Sequence, residues 1–149
     1  MASTNGARWK LINYHDRVLK VVKETHLEDI LDFITNDKKE IYFIGGASRA
    51  IILDEYYSND IDIVIPDFDD KLVEDLSKKF EIKYFPSYKS IAIKTNDFDY
   101  QINSFRKDIQ STGRHSKVTS TRSIKEDAER RDFTFNSVYI NLLGEVIDF

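Results

Sequence analysis

The chain has 149 residues, enough for one domain with a substantial core, and 41% of them are hydrophobic against 32% charged. A net charge of −4 excludes a surface that is basic throughout, so any polyanion-binding face has to be local. The absence of cysteine excludes a disulfide and a thiolate metal site, and no apolar run reaches the length of a membrane span. In chain order, Met1 to Ala7 is small and polar and is expected to fray. Trp9 to Tyr14 is too short and too polar for a signal-peptide core, which leaves the cytoplasm as the expected setting. Apolar spacing at Val18, Val21 and Val22, then at Leu27, Ile30, Leu31 and Ile34, predicts one or two helices, with Thr25 as N-cap of the second and Glu28 completing a capping box. His15 and His26 lie too far apart for one helical metal face and read as surface residues.

The next stretch carries the chemistry. Ile41 to Ile44 reads as a short buried strand ending in Gly45-Gly46, where the backbone turns or approaches a ligand closely. Ala47 to Leu53 has helical composition. A strand, a glycine turn and a helix N-terminus make a place to hold phosphate, because free N–H groups and the helix dipole both favour an anion. Arg49, in the first turn, adds a charge-assisted bond to the same anion. In Asn59-Asp-Ile-Asp-Ile-Val-Ile-Pro66 the carboxylates of Asp60 and Asp62 alternate with isoleucines, so both project from one strand face. Two adjacent like charges repel and resist burial, and a divalent cation with a taste for hard oxygen, Mg²⁺ above all, resolves the conflict. A phosphate cradle followed by a two-carboxylate site points to metal-assisted phosphoryl or nucleotidyl transfer.

Asp67, Asp69 and Asp70 read as an acidic loop capping the next helix and not as a third metal ligand. Leu72, Val73, Leu76 and Phe80 predict an amphipathic helix over Lys71 to Phe80. Glu81 to Phe85, Ser90 to Lys94 and Phe98 to Phe105 read as strands, the last two joined at the Asn96-Asp97 turn. Arg106 to Ser123 is basic and is expected to be a loop, either solvated or closing as a flap over a triphosphate or an RNA end. Ser123 and Glu126 form a capping box opening a helix. Asp127 and Arg130, three apart, share one face of it. They form either an ordinary intrahelical ion pair or a planar set of acceptors and donors that pairs with a base edge. Apolar residues from Phe133 to Leu143, a turn at Gly144-Glu145, and Val146 to Phe149 complete the chain.

Taken together, Gly45-Gly46-Ala-Ser-Arg49, Asp60-Ile-Asp62, the stretch from Arg106 to Arg114, and Glu126-Asp-Ala-Glu-Arg-Arg-Asp-Phe-Thr134 resemble the head domain of class II tRNA nucleotidyltransferases (CCA-adding enzymes) and bacterial-type poly(A) polymerases. The likeness runs from about Glu40 to Phe149. It implies an α+β, polymerase-beta-like nucleotidyltransferase fold, a small mixed sheet flanked by helices. It implies Mg²⁺-dependent, template-independent transfer of CMP or AMP from CTP or ATP to the 3′ end of tRNA or another RNA. By position, Asp60 and Asp62 would be catalytic and hold the metal, Gly45, Gly46 and Arg49 would cradle the triphosphate, and Asp127 and Arg130 would read the base. The segment around Arg106, Asp108 and Arg114 would reorient that template, Arg114 joining the nucleotide-binding set.

The chain departs from the family pattern at Ala50, where aspartate is usual, at Asn59, where a basic residue is usual, and at Gln101, where a glutamate often stands. The expected organisation is a single head domain over residues 1–149, with a helical region at 1–36 and the motif-bearing core at 40–149. The neck, body and tail that grip tRNA in the family are expected to be absent. The chain then reads as a minimal transferase, as a head domain cut from a longer enzyme, or as a nucleotide- or RNA-binding relative whose catalysis is lost or depends on a partner. In each case RNA binding is expected to need a partner chain or self-association, with the apolar strand ending at Phe149 as the docking place.

Overall fold

The computed structural model describes residues 13–112, 115–131 and 138–148. Two helices come first, α1 (His15–Glu24) and α2 (Glu28–Leu31), then β1 (Tyr42–Phe43), α3 (Gly45–Leu53), β2 (Asp60–Ile65) and α4 (Asp70–Ser77). Three strands follow, β3 (Glu81–Phe85), β4 (Ser90–Lys94) and β5 (Asp99–Ser104). The pair β6 (Arg106–Thr112) and β7 (His115–Ser120), helix α5 (Ile124–Glu129), and β8 (Val138–Asn141) with β9 (Val146–Asp148) complete the order.

Among the described residues the main sheet has seven strands in the order β3-β4-β5-β2-β1-β8-β9, and β6 and β7 form a separate ribbon. The pairing of β2 with β5 is parallel, and the other pairings are antiparallel, which makes the sheet mixed. Strict alternation in β2 sends Ile61, Ile63 and Ile65 to one face, where all three are fully buried. That face packs against Val18 and Val21 of α1, Ala47 and Ile51 of α3, and Leu72 and Leu76 of α4. Each isoleucine removed from water there contributes roughly 1.5–3 kcal/mol. The opposite face is covered along only part of its width, where α5 lays Ala128 onto Tyr42, Val64, Phe105 and Tyr139.

Helix ends account for several local features. Asp69 caps α4 by accepting from the Lys71 N–H, in line with the acidic-loop expectation. Asp67 instead pairs with Lys89. Arg17 reaches from α1 to the last turn of α3, donating to the carbonyls of Ile51 at 2.9 Å and Ile52 at 3.0 Å. A cation at a helix C-terminus both fills orphan carbonyls and meets the negative end of the dipole. Thr25 does not cap α2. Its hydroxyl donates back to the Val21 carbonyl at 2.7 Å and the residue ends α1, because it is fully buried and the nearest orphan acceptor lies one turn behind it. The Ser123–Glu126 box is half formed: Ser123 Oγ accepts from the Glu126 N–H, but the Ser123 N–H goes to Thr121 Oγ1, whose hydroxyl bonds Glu126 at 2.5 Å.

The basic segment expected to be a loop is the β6–β7 ribbon, with a register irregularity between Asp108 and Gln110 that leaves Ile109 57% exposed. Its strand propensity comes from β-branched residues such as Thr112, Val118 and Thr119, and none of its described side chains is in either core cluster, so no hydrophobic alternation announces it.

Gly144 has φ +85 and lies against α1, its carbonyl accepting from the Tyr14 N–H at 3.0 Å. A Cβ there would sit 2.2 Å from the His15 nitrogen. Gly144→Ala therefore combines left-handed strain with a backbone clash and is expected to cost at least about 2 kcal/mol, lowering Tm by roughly 5 °C or more. Thermal denaturation followed by circular dichroism checks this, with Gly46→Ala as the control, since a Cβ on Gly46 meets nothing within 4 Å.

Candidate functional site

The site begins with the half-open sheet face. Asp60 is exposed and Asp62 half-buried, and both stand on the side of β2 away from the isoleucines. Partial burial, and then the neighbouring Asp60 charge, push the Asp62 carboxyl above the usual carboxylate range, while Arg131 pulls it back. Among the described residues no three His, Cys, Asp or Glu side chains gather into a closed metal cage. Two adjacent carboxylates under charge strain suit Mg²⁺, which keeps several water or substrate oxygens and takes only one or two protein ligands.

The glycine turn sits beside this pair. The Ile44 N–H donates to the Asp62 carbonyl at 3.2 Å, tying the end of β1 to the middle of β2. Gly45 adopts φ +63 and opens α3, so the helix starts two residues earlier than its composition suggests. Ile44, the N-cap residue, has no side-chain acceptor, so its own side chain leaves the first N–H groups of α3 uncapped. Gly46 and Arg49 line one shallow pocket with Tyr56 and Ser58, and Arg49 lies 3.9 Å from Glu55.

The third part of the site is α5. Asp127 is fully buried, not part of a surface ion pair. One carboxylate oxygen accepts from the Arg106 backbone N–H at 2.9 Å. The other accepts from Arg131 Nε at 2.9 Å and from the Tyr139 hydroxyl at 2.6 Å. Arg130 Nη2 stands 3.9 Å from the first oxygen. Two guanidinium groups and one backbone N–H thus meet one carboxylate, and among the described residues buried side-chain N–H groups of Arg106, Arg130 and Arg131 find no hydrogen-bond partner. Burial, followed by the charges of Arg130 and Arg131, pushes Arg106 down to about 10. Burial also lowers Arg130, with Arg131 adding to it. Burial works against the Arg131 charge too, but Asp127 and Tyr139 hold it above the ordinary arginine value.

Asp60, Asp62, Gly45, Gly46 and Arg49 therefore lie on adjoining elements, and Arg131 links α5 electrostatically to Asp62. Arg114 lies outside the described residues. Arg106, Arg131 and Tyr139 were not singled out from sequence as partners of Asp127. The i,i+4 spacing of Asp127 and Arg131 was a usable signal, and nothing local points to Tyr139. Of the three departures from the family pattern, Ala50 is buried on α3, the Asn59 carbonyl accepts from the Asp99 N–H at 2.8 Å, and Gln101 lies in register with Asp62.

A mixed sheet with helices on one face, paired aspartates on the other and a glycine turn at their side is the fold of a nucleotidyltransferase head domain. The Poly A polymerase head domain family matches residues 41–149, and the chain belongs to that family. It is 35% identical over 111 residues to the CCA-adding enzyme of Streptococcus uberis, covering 73% of this chain and 27% of that protein. It is 33% identical over 124 residues to the CCA-adding enzyme of Bacillus cytotoxicus, covering 80% and 30%. Among solved structures, a CCA-adding enzyme in its apo form II superposes with TM-score 0.71 at 20% identity over 93% of this chain and 35% of that one. The Bacillus stearothermophilus CCA-adding enzyme in complex with CTP superposes with TM-score 0.59 at 27% identity over 86% and 29%. The chain spans under a third of the length of the curated relatives it matches.

Two outcomes follow from the site's electrostatics. A carboxyl whose folded pKa is raised binds its proton more tightly folded than unfolded, so stability of the metal-free protein falls as pH climbs from the unfolded value, near 4, through the folded one. Asp62→Asn removes that loss, so the variant is expected to be more stable than the parent at neutral pH without metal, and no more stable near pH 3. Asp127→Asn leaves several buried donors facing an amide and is expected to cost about 3–5 kcal/mol in urea denaturation at any pH near neutrality.

Proposed function

We propose that the chain transfers a nucleoside monophosphate from CTP or ATP to the 3′ hydroxyl of an RNA, with tRNA ending before CCA as the first substrate to test. The observation that carries this reading is the position of Asp60 and Asp62 on an open sheet face, between a helix N-terminus whose N-cap residue offers no side-chain acceptor and a cluster of arginines. Relatives named CCA-adding enzymes support it, as does likeness to structures solved with CTP, with ATP, and with a primer tRNA and an incoming ATP analogue.

In this reading Asp60 and Asp62 hold Mg²⁺, which when bound neutralises the triphosphate and makes the attacking hydroxyl easier to deprotonate. Gly45 and Gly46 bring backbone N–H groups against the triphosphate, and Arg49 adds its charge. Arg130, with unpartnered N–H groups, faces the base or the α-phosphate, while Asp127 orients Arg130 and Arg131 from beneath. Asp127 spends both oxygens within the protein, so its share in base selection is as a positioning residue. Arg114, outside the described residues, is assigned to the nucleotide-binding set by the family resemblance alone. No helix among the described residues is long and apolar enough to cross a membrane. An RNA-processing role of this kind places the protein in the cytoplasm.

The test is incorporation of labelled CTP or ATP into a tRNA lacking CCA in the presence of Mg²⁺. Asp60→Ala deletes an exposed ligand and no core contact, so it is expected to abolish incorporation with Tm unchanged. Wild-type-like incorporation by that variant overturns the assignment, and nucleotide binding without incorporation by the parent reduces the chain to a binding module. Gly46→Ala, which the fold tolerates, is expected to weaken Mg²⁺–nucleotide binding by at least tenfold in a thermal-shift titration, because its methyl group would stand where the phosphates approach.

A further inference from the structure

The sheet face that carries Asp62 continues outward across three more strands, and among the described residues no helix covers it there. In register with Asp62 stand Gln101 on β5, Ala92 on β4 and Lys83 on β3. A cavity of about 790 Å³ opens over this row, lined by Asp60, Asp62, Gln101, Ala92, Lys83 and Lys94. Three strand spacings separate Asp62 from Lys83, about 14 Å.

The far end of the row has an unusual composition for an exposed edge. Phe85 is 39% exposed and Tyr88, in the short 3-10 turn Pro86–Tyr88 after β3, is 53% exposed. Each ring has its own cation: Lys83 Nζ lies 5.7 Å from the Phe85 centroid, and Arg106 Cζ lies 5.7 Å from that of Tyr88. In a chain of net charge −4 this is a local pairing of π-faces with positive charge. Between it and Asp62 one cross-strand row of the cavity lining alternates in sign, Asp99, Lys94 and Glu81, and the neighbouring rows hold Gln101, Ser90 and Asn103. Gln101 Nε2 donates to Ser90 Oγ at 2.9 Å, and Ser90 Oγ donates to the buried Asn103 Oδ1 at 2.8 Å.

We propose that this outer face is the platform for the single-stranded 3′ end of the acceptor RNA, with bases stacking on Phe85 and Tyr88 and backbone phosphates meeting Lys83 and Arg106. The inference rests on the transfer reading of Asp60 and Asp62 and adds the direction from which RNA arrives. Displacement at the α-phosphorus is in line, so attacking and leaving oxygens lie on opposite sides of it. The leaving pyrophosphate is at the α3 N-terminus, beside β1. The attacking hydroxyl therefore comes from the other side of β2, over β5 and β4, and the strand bearing it continues over β3. Aromatic and basic side chains in alternation are how proteins hold single strands without reading their sequence, each stacked base being worth roughly 5- to 100-fold in affinity.

The test is fluorescence anisotropy of the full chain with a labelled single-stranded oligoribonucleotide bearing a free 3′ hydroxyl, at several salt concentrations, alongside a Mg²⁺–CTP thermal-shift titration of the same samples. Phe85→Ala and Lys83→Glu are expected to weaken RNA binding by roughly tenfold each, Lys83→Glu with a shallower salt slope, while both keep the parent's nucleotide-induced shift. An oligonucleotide carrying 4-thiouridine at its 3′ end is expected to cross-link to β3 or β4. Unchanged RNA affinity in both variants, or cross-links confined to other elements, overturns the platform. So does concentration-dependent self-association that Lys83→Glu abolishes, since the face would then be covered by a second copy. If the parent shows no nucleotide shift yet binds RNA through Phe85, the platform stands and the transfer reading falls. If nucleotide binds and RNA ignores Phe85 and Lys83, the reverse holds.

Discussion

The two-residue alternation of β2 divides the molecule. β2 is an inner strand, hydrogen-bonded to β1 on one side and β5 on the other, so both of its faces are committed. Its isoleucines require the cover that α1, α3 and α4 provide, and its aspartates require that the other face stay wet. A register slip of one residue would exchange the two sets and put two carboxylates into the core, at a cost no local contact offsets. Register is therefore strongly specified. Because Ile44 is hydrogen-bonded to Asp62, the same specification holds the glycine turn beside the carboxylates.

Asp127 anchors the covered half of that wet face. It is one negative charge held by the Arg130 and Arg131 guanidiniums and the Arg106 backbone, and among the described residues four buried side-chain nitrogens of these arginines have no hydrogen-bond partner. Buried donors in such a state are uncommon in folded proteins and mark a place where a further acceptor fits. The cluster has a surplus of positive charge next to Asp62, and the buried carboxylate keeps its guanidiniums from being free to relax away. A site whose charges are oriented before the ligand arrives needs little reorganisation when it does.

The parts of this arrangement that follow period-two or period-3.6 patterns were legible in the sequence. The strand at Asp60–Ile65 has the bounds its alternation predicts, and the amphipathic run at Leu72 and Leu76 is a helix. The ribbon of β6 and β7 was not legible, because its described side chains join neither core cluster and its charge density resembles a loop. Thr25 misled for a related reason: a hydroxyl near a helix boundary serves either end, and only the burial of the neighbouring turn decides which. The burial of Asp127 was the larger gap. A segment reading Glu-Asp-Ala-Glu-Arg-Arg looks solvent-facing on every side, and the residue that seals it, Tyr139, is twelve positions away on another element.

Helix α5 has six residues and is too short to persist by its own hydrogen bonds. It is held from three directions: by the Ser123 cap, by Glu126 bonding Thr121 and lying 3.5 Å from Lys107, and by Asp127 accepting from the Arg106 backbone. Two of those three tie it to the ends of the β6–β7 ribbon. Any displacement of the ribbon base therefore pulls on the residue that orients Arg130 and Arg131. Arg106 also stacks on Tyr88 at the edge of the open sheet face. Arg106 is thus shared between the two, its backbone N–H held by Asp127 and its guanidinium set over Tyr88.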